Sequence, residues 1–406
     1  MDPNLKLPLH SINPPPQKPV DIIIAMATIS LKMLALVLCL MVYYGVGLAA
    51  VGGLTSGPRE GGAVRAAYWP SFDDFPAASI DTSYFTHVYY AFMHPDPKTF
   101  ELVVTQLDKK KLPELVGGVG GKKKDVKTII SIGGGDNSDP PVFAKLSSSR
   151  AGRAAFIRSA IKVAREFGFD GLDLDWEWPE NAEQMLSLGV LIADWRKALE
   201  KEAKVSGKPR LTLSSAVYYS SKFTTYGLPR SYPAKALGRY LDWVSPMCFD
   251  YHGSWDNFTG ANAALYDPNS DISTLSGVSS WIKAGVPAGK IVMGLPMYGH
   301  TWKLQNPNIN HMGAPATGGG PGNGTLNYDQ VIEFNKKNQA TVKYDKTSVS
   351  YYSYVGDNWI GYDDVPSIAS KVQFAKGRGL RGYFFWALGQ DLNWAISKAA
   401  AKAWGK

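Results

Sequence analysis

The chain has 406 residues, of which 45% are apolar and 19% are charged. This balance allows a large buried core and excludes a largely disordered chain. The net charge is +8, but the densest basic run, Lys122–Lys124, is short, and the aromatic residues cluster beside carboxylates instead. Because nucleic-acid-binding surfaces concentrate basic residues on one face, we expect no nucleic-acid partner. The two cysteines, Cys39 and Cys248, indicate no disulfide framework.

The N-terminal region has the features of an export signal. Residues 33–53 carry no charge and end in small residues, and Met26 offers a start that gives this segment a short basic leader. The pattern predicts a cleaved signal peptide within an N-terminal extension, residues 1–60, and hence a secreted protein, extracellular or vacuolar, without stable membrane association. The alternative is a membrane anchor, since residues 33–53 are long enough to span a bilayer. Glycosylation sequons at Asn257 and Asn323 agree with export.

Beyond residue 60, short apolar runs alternate with helix-like segments, as in repeated βα units. The helix predicted at 154–168 has apolar residues on one face and ends at a glycine, and a second helix predicted at 183–204 repeats this spacing. Eight strands alternating with helices favour a parallel sheet closed on itself, so we expect a (β/α)8 TIM barrel, an α/β fold, over residues 61–406. The predicted strands are 64–69, 86–92, 126–132, 169–177, 211–217, 241–249, 290–296 and 380–388.

One connection is too long for a single βα link. Residues 298–379 hold a Gly-rich run, GAPATGGGPGNG, followed by the strand-like VSYYSYVGDNWIGYDD. Connections within βα units are normally short, so this stretch predicts a small α+β insertion, residues 299–365, between the seventh and eighth strands. No repeat of roughly 20 to 50 residues is visible, which argues against a solenoid.

The fourth predicted strand contains four carboxylates within DGLDLDWEWP, residues 170–179. Side chains alternate along a strand, so Asp173, Asp175 and Glu177 share one face while Asp170 points the other way. Three like charges aligned in an apolar strand repel one another and lose hydration, so at least one is expected to hold its proton at neutral pH. The carboxyl end of a barrel strand faces the barrel mouth, which predicts Glu177 as a general acid.

Two other interpretations of these acids are an exposed acidic edge and a calcium or magnesium site. An exposed edge would not embed its acids among alternating leucine and tryptophan residues, as this segment does. The segment also fails to match the fixed glycine and terminal glutamate of a calcium loop. We therefore expect no metal ligands here, and we place Asp175 and Asp173 progressively deeper, where they can relay a proton to Glu177.

The acidic segment resembles, position for position, the DGxDxDxE signature of glycoside hydrolase family 18, the chitinases. The resemblance extends over about residues 64–400, since AAYWPS, SIGGG and FFWAL are similar to the first, third and eighth strands of the family, and SWDNFTGANAALYDP is similar to its loop after the sixth. Within the family, the chain most resembles plant class V chitinases. The resemblance implies hydrolysis of β-1,4 bonds in chitin or N-acetylglucosamine oligosaccharides. Nothing in the sequence demands more than a monomer, so we expect one.

The chemistry of the family is substrate-assisted, so the resemblance implies that the 2-acetamido oxygen of the substrate attacks the anomeric carbon. Glu177 would protonate the leaving glycosidic oxygen and then activate water, with net retention of configuration. Asp175 would orient the acetamido N–H and steady the oxazolinium ion, and Asp173 would lie beneath it. No metal or organic cofactor is implied.

Sugars present apolar CH faces beside their hydroxyl groups, so a polysaccharide site needs aromatic platforms next to polar groups. Residues at the predicted strand ends are therefore candidates for substrate binding, although ordinary core packing is the alternative for each aromatic ring. In the family, the tryptophan that matches Trp386 forms the floor of the subsite where cleavage occurs. The candidate binding residues are Tyr68, Phe92, Trp178, Met247, Phe249, Asp250, Tyr251, Tyr298 and Trp386.

The sixth strand departs from the family pattern. The family usually has Met-x-Tyr-Asp, whereas this chain has MCFD at residues 247–250 and lacks the tyrosine hydroxyl that contacts the reacting acetamido group. Loss of one preorganised donor costs about 10²-fold in rate. Phe249 therefore supports an alternative function, a chitinase-like lectin with weak or no hydrolysis, unless Tyr251, which alternation places on the same side, compensates. His300 stands where many family members have arginine, and is either a subsite contact or a solvent-facing loop residue.

Overall fold

The computed structural model describes residues 62–120, 125–135, 140–225 and 228–406, so the signal segment predicted at 33–53 lies outside the described residues. No helix within those ranges is long and apolar enough to cross a membrane. The strands are β1 (Val64–Pro70), β2 (His87–Met93), β3 (Lys127–Gly133), β4 (Gly171–Asp175), β5 (Thr212–Tyr218), β6 (Lys222–Thr225), β7 (Leu228–Ser231), β8 (Trp243–Met247), β9 (Val292–Pro296), β10 (Tyr298–Leu304), β11 (Ala316–Gly319), β12 (Thr325–Asn327), β13 (Thr341–Asp345), β14 (Ser350–Val355), β15 (Asn358–Tyr362) and β16 (Gly382–Trp386). The helices are α1 (Gln106–Gly120), α2 (Pro140–Ser148), α3 (Arg150–Phe167), α4 (Ala182–Ser206), α5 (Ala234–Tyr240), α6 (Thr274–Ala284), α7 (Tyr328–Asn338), α8 (Val365–Gly377) and α9 (Ala395–Trp404).

Eight parallel strands form the barrel, in the order β8-β5-β4-β3-β2-β1-β16-β9. A parallel bridge between Val244 and Ile291 joins the two ends of this sheet. Each strand lies within one of the eight apolar runs identified in the sequence or extends one residue beyond it, so the predicted TIM barrel is confirmed. All eight carboxyl ends meet at one mouth, which is where barrels of this kind place their sites.

Local sequence sets the limits of the two predicted helices. Helix α3 begins at Arg150, four residues before its predicted start, because the Ser149 side chain caps it by accepting the Gly152 N–H. It ends where Gly168 adopts φ +76°, a left-handed conformation that favours glycine. Helix α4, predicted at 183–204, follows the Asn181 cap in the same way. These caps set the limits of the helices that precede and follow β4, the strand that carries the acids.

A second sheet occupies the long connection after β9. Strands β10 to β15 form a six-stranded antiparallel sheet, with order β11-β10-β15-β14-β13 and β12 paired to β10. Helix α7 lies between β12 and β13, so the segment Tyr298–Tyr362 combines strands and a helix where the sequence predicts an α+β insertion. Its first strand, β10, directly follows β9 and therefore starts at the barrel mouth.

The core consists of an outer layer and the barrel interior. Alternation along β1 separates them, because Ala67 and Trp69 pack outward with the helices while Ala66 and Tyr68 pack inward. Toward the carboxyl ends, the interior is rich in aromatic rings, including those of Tyr68, Phe249 and Phe384. The barrel interior therefore rises into an aromatic floor at its mouth.

Candidate active site

A pocket of about 330 Å³ opens at the carboxyl ends of the barrel strands. Its lining combines two carboxylates near the end of β4 with aromatic rings from several other strands. Register places Asp175 level with Gly133 on β3 and Ala216 on β5, at the mouth. The lining residues are Tyr68, Phe72, Phe92, Gly135, Asp175, Glu177, Ala216, Met247, Phe249, Asp250, Phe384 and Trp386.

Asp173 lies beneath the pocket and is fully buried. Its neighbours in register are Ser131 and Ser214, whose hydroxyls donate to the carboxylate at 2.9 and 2.6 Å, and the Tyr68 hydroxyl donates at 3.0 Å. Burial raises the pKa of Asp173, and the three hydroxyl donors oppose this rise by stabilising the charged form. Asp173 is thus held rigidly, one pleat below Asp175.

Asp175 is buried at the base of the pocket and is only 3% exposed. Its Oδ1 has no hydrogen-bond partner among the described residues. Burial raises the pKa of Asp175 well above its ordinary value, and the negative charges of Glu177 and Asp173 raise it further. Asp175 therefore retains a proton more readily than a free carboxyl, and its Oδ1 is buried without a hydrogen-bond partner in the described part of the chain.

Glu177 follows the end of β4 and is the accessible member of the acidic series. Gly135 faces its carboxyl, because a Cβ atom built at residue 135 would lie 3.4 Å from both Glu177 oxygens. A larger side chain there would cover the carboxyl, so the glycine leaves room for a ligand atom. The three acids thus run from buried Asp173 through Asp175 to Glu177 at the opening.

Aromatic rings form the floor and walls of the pocket. Phe92 and Trp386 stack with centroids 5.5 Å apart, and Tyr68 lies 5.6 Å from Trp386. Phe249 packs edge-on against Tyr298 and Phe384, at 6.2 and 6.0 Å. Flat apolar surfaces beside carboxylates are what a sugar ring requires for binding.

Asp250 closes one side of the pocket through a polar network. Its Oδ1 accepts a hydrogen bond of 2.6 Å from the Tyr298 hydroxyl and lies 2.8 Å from His300 Nε2. Its backbone N–H donates to the buried Asn262 side chain, which in turn donates to the Tyr298 carbonyl. His300 is 6% exposed, so its interpretation as a solvent-facing loop residue is wrong.

Comparison with known sequences identifies the architecture around this pocket. The sequence profile described as Glycosyl hydrolases family 18 matches residues 64–391, which is most of the chain. The chain belongs to glycosyl hydrolase family 18. The matched region includes every residue that lines the pocket.

The relatives and solved structures place the chain near plant members of family 18. A class V chitinase of Lotus japonicus is 54% identical over 350 residues, covering 86% of this chain and 88% of the relative. A class V chitinase structure from Nicotiana tobaccum, in complex with NAG4, is 37% identical with a TM-score of 0.81, covering 85% of this chain and 99% of that one. A chitinase-like agglutinin from Robinia pseudoacacia is 38% identical with a TM-score of 0.79, covering 84% and 100%. The predicted resemblance to plant class V chitinases is confirmed.

Four of the residues proposed from the sequence do not line the pocket. Asp173 lies below it, and Tyr298 lies behind Asp250. Trp178 packs edge-on against Tyr218, 5.3 Å away, and also contacts Phe223 of the β6–β7 hairpin. The fourth residue is Tyr251, whose position corrects an expectation from strand alternation.

Tyr251 turns away from the pocket because the backbone stops being extended one residue earlier. Asp250 has φ +58°, so the period-two alternation assumed beyond β8 fails there. The Tyr251 side chain packs in the outer core, and its hydroxyl lies 3.1 Å from Thr274 Oγ1. Its hydroxyl therefore does not replace the one missing at Phe249.

Some residues that line the pocket were not predicted from the sequence. Phe384 lies two residues before Trp386 on β16, so alternation would have placed it on the same face. Gly135 is in the SIGGG segment, but nothing in that motif shows that it faces Glu177. Phe72, which is 60% exposed, lies in the loop after β1 and gave no signal. Ala216 is too small to be recognised as a site residue without its register.

A metal centre would need several metal-ligating side chains close together. Among the residues that the structure describes, no group of three or more His, Cys, Asp or Glu side chains could hold a metal ion. The carboxylates of the β4 series are instead bonded to hydroxyls or lie against one another. Their arrangement is suited to proton transfer and to hydrogen bonding with an organic ligand.

Proposed function

We propose that the chain hydrolyses β-1,4 bonds in chitin or N-acetylglucosamine oligosaccharides with retention of configuration. The observation that carries the proposal is the graded series Asp173, Asp175 and Glu177, which runs from full burial to the pocket opening. Two comparisons support the proposal. A 54% identical relative is named a class V chitinase, and a solved class V chitinase structure is in complex with NAG4. A buried, charge-coupled acidic series beside aromatic rings suits a glycosidase.

In the proposed reaction, Glu177 gives its proton to the glycosidic oxygen while the bond from that oxygen to the anomeric carbon breaks. The 2-acetamido oxygen of the same sugar forms the new bond to the anomeric carbon, which gives an oxazolinium ion. Asp175, in its ionised form, accepts the acetamido N–H and balances the positive charge. Glu177, now ionised, then takes a proton from water as the water oxygen bonds to the anomeric carbon. This displaces the acetamido oxygen and opens the oxazolinium ring, so the configuration is retained. The step requires no metal or organic cofactor.

The aromatic floor would hold the sugar for this reaction. Trp386 and the stacked Phe92 offer a flat face to the CH groups of the ring. Tyr68 connects this floor to the acids, since its hydroxyl donates to Asp173. Met247 and Phe249 also line the pocket, and Asp250 supplies an acceptor for hydroxyl groups.

The second candidate function is sugar binding with weak or no hydrolysis. Phe249 lines the pocket where the family pattern has tyrosine, so the donor expected there is absent. The chitinase-like agglutinin with a TM-score of 0.79 has the same architecture, which supports this alternative as well. The retained acids favour hydrolysis, because a pure binding protein gains nothing from a buried carboxyl with a raised pKa.

The deciding experiment compares the unmodified protein with Glu177→Gln on N-acetylglucosamine oligomers. We expect the unmodified protein to release shorter oligomers, and Glu177→Gln to bind the tetramer in calorimetry without cleaving it. Glu180→Gln changes an exposed carboxyl three residues further along and serves as the matched control with normal activity. Binding without cleavage by the unmodified protein would replace the hydrolase proposal with the lectin.

We also propose a catalytic barrel over residues 61–406 that acts as a secreted monomer, extracellular or vacuolar, after loss of the N-terminal signal. The support is the uncharged segment at 33–53 and its small-residue end. The partner is the chitin or chito-oligosaccharide substrate. A membrane anchor at 33–53 is the alternative.

A further inference from the structure

Asp250 has one carboxylate oxygen bound to the protein and one available. Oδ1 accepts the Tyr298 hydroxyl at 2.6 Å and lies 2.8 Å from His300 Nε2. No described residue bonds Oδ2, although the side chain is 48% exposed and lines the pocket. Because an ionised carboxylate has about four acceptor sites, Oδ2 remains for a donor group of a ligand.

His300 lies behind Asp250 and does not line the pocket. Its Nδ1 is 3.3 Å from Thr325 Oγ1 and 3.3 Å from the Gly324 carbonyl oxygen. The exposed Trp255 ring packs edge-on against the imidazole, with centroids 5.0 Å apart. Since Asp250 is the only one of these neighbours in the pocket lining, the imidazole reaches a ligand through the Asp250 carboxylate.

The imidazole is a rigid hydrogen-bond donor. Strand β10 pairs with β12 and β15 on its two sides, with Thr325 and Gly361 opposite His300, so the backbone is fixed on both edges. One neutral tautomer satisfies both ring nitrogens: Nε2–H donates to Asp250 Oδ1, and Nδ1 accepts from the Thr325 hydroxyl. The donor therefore has a fixed position relative to the pocket.

We propose that His300 is a positioning residue for sugar binding. It holds the Asp250 carboxylate in the orientation in which Oδ2 accepts hydrogen bonds from hydroxyl or N–H groups of an N-acetylglucosamine unit. An arginine at this position would bring a permanent charge and up to about five donors, some of which could reach a ligand directly. Histidine restricts the role to a single donor that acts through Asp250. This inference rests on the proposed function, since it assumes that the pocket binds sugar.

The first test measures affinity for the N-acetylglucosamine tetramer by calorimetry in the Glu177→Gln background. His300→Phe keeps a ring but removes the donor, and we expect the Kd to rise about tenfold, as for loss of a hydrogen bond to a charged group. His300→Gln restores an N–H donor and is expected to recover part of the affinity. His311→Phe, at an exposed histidine of the insertion, is the control with unchanged Kd.

A double-mutant cycle shows whether His300 acts through Asp250. His300→Phe is expected to cause no further loss of affinity once Asp250→Ala is present, because coupled residues are not additive. An equal loss in both backgrounds overturns the inference, since His300 would then act independently. An unchanged Kd for His300→Phe overturns it as well.

A spectroscopic measurement keeps the inference testable if His300→Phe does not fold. In the unmodified protein, the His300 Nε2–H proton is expected as a downfield NMR signal that disappears in Asp250→Ala. A signal unaffected by Asp250→Ala overturns the inference whatever the protein binds. Failure of the unmodified protein to bind the tetramer instead refutes the sugar site, so the two failures are distinguishable.

Discussion

The carboxyl of Asp175 lies in a setting that opposes its ionisation. Its pKa is raised well above the ordinary 3.8 by burial and by the charges of Glu177 and Asp173. Below pH 3.8 both the folded and unfolded states hold the proton, so this group leaves the free energy of unfolding unaffected. As the pH rises above 3.8, the unfolded state releases its proton first, and the folded state becomes relatively less stable until the pH passes the folded pKa.

Asp175→Asn is therefore expected to be more stable than the unmodified protein at pH 7 and closer to it at pH 3.5. The gain should reach about 1.4 kcal/mol for each unit by which the folded pKa exceeds the unfolded one. Urea unfolding at both pH values measures it. Asp194→Asn, which breaks a partly exposed ion pair with Arg153, should lack this gain at pH 7. A variant that is less stable at pH 7 than at pH 3.5, relative to the unmodified protein, contradicts the account.

The hydroxyl that Phe249 lacks gives a second prediction about a single residue. Its ring lines the pocket, and Tyr251, the other residue considered as a donor, is turned into the outer core. Phe249→Tyr supplies a hydroxyl at the position where the family pattern has one, and we expect kcat on oligomers to rise about ten- to a hundredfold. Steady-state kinetics with the tetramer measures this change.

Phe92→Tyr is the control for Phe249→Tyr, because it adds a hydroxyl elsewhere in the same pocket lining. It should leave kcat unchanged or lower it. An equal rise in both variants would show that added polarity, not a specific donor, increases the rate. An unchanged kcat in Phe249→Tyr would count against the role assigned to the missing hydroxyl.

Single residues were predictable from the sequence where they belong to a regular strand. Period-two alternation identified the inward face that Asp173 and Asp175 share, because β4 is extended throughout. The same rule failed at Tyr251, since Asp250 adopts a left-handed conformation that no local signal announces. His300 was ambiguous for a related reason: its burial depends on Asp250 and Trp255, which are distant in sequence.

At the scale of elements, Lys371 of helix α8 forms a buried ion pair and also bonds the loop that follows β8. Lys371 Nζ lies 2.6 Å from both oxygens of Asp363 and also donates to the Ala263 carbonyl. Ala263 is next to Asn262, which binds the Asp250 backbone and the Tyr298 carbonyl. Lys371 thus anchors the loop that contacts Asp250 in the pocket lining.

Lys371→Met is expected to lower the free energy of unfolding by about 3–5 kcal/mol, because it leaves the Asp363 charge buried without its partner. Guanidinium unfolding followed by tryptophan fluorescence measures the loss. The double variant Lys371→Met with Asp363→Leu removes both charges and should recover most of it. If the double variant is as unstable as the single one, the cost arises from packing or from the Ala263 contact instead.

Elements were predictable to the extent that their patterns are local. All eight barrel strands and the helices α3 and α4 follow from apolar spacing and caps. The insertion was recognisable from its length and glycine content, but its strand order was not, since antiparallel pairing such as β10 with β15 joins distant residues. The hairpin β6–β7, which packs against Trp178, left no pattern that separated it from a loop.

At the scale of the whole molecule, the barrel brings together residues that lie far apart along the chain. Tyr68 and Asp173 are separated by 105 positions yet share a hydrogen bond, and Trp386 stacks on Phe92. Because the lining residues come from several barrel strands and the loops that follow them, the site depends on closure of the sheet between β8 and β9. The sequence predicts such convergence only through the fold class, which explains why Phe72 and Gly135 were missed.

Export of the whole protein gives the last prediction. If residues 33–53 belong to a cleaved signal, the secreted protein should begin after this segment, and N-terminal sequencing should find its first residue near 54. Passage through the secretory pathway also exposes Asn257 and Asn323 to glycosylation, and both lie on the surface of the folded chain. Treatment with an N-glycosidase should therefore lower the mass of the secreted protein, and Asn257→Gln with Asn323→Gln should abolish that shift. An uncleaved chain retained in the membrane fraction would instead establish the anchor, because the same segment is long enough to span a bilayer.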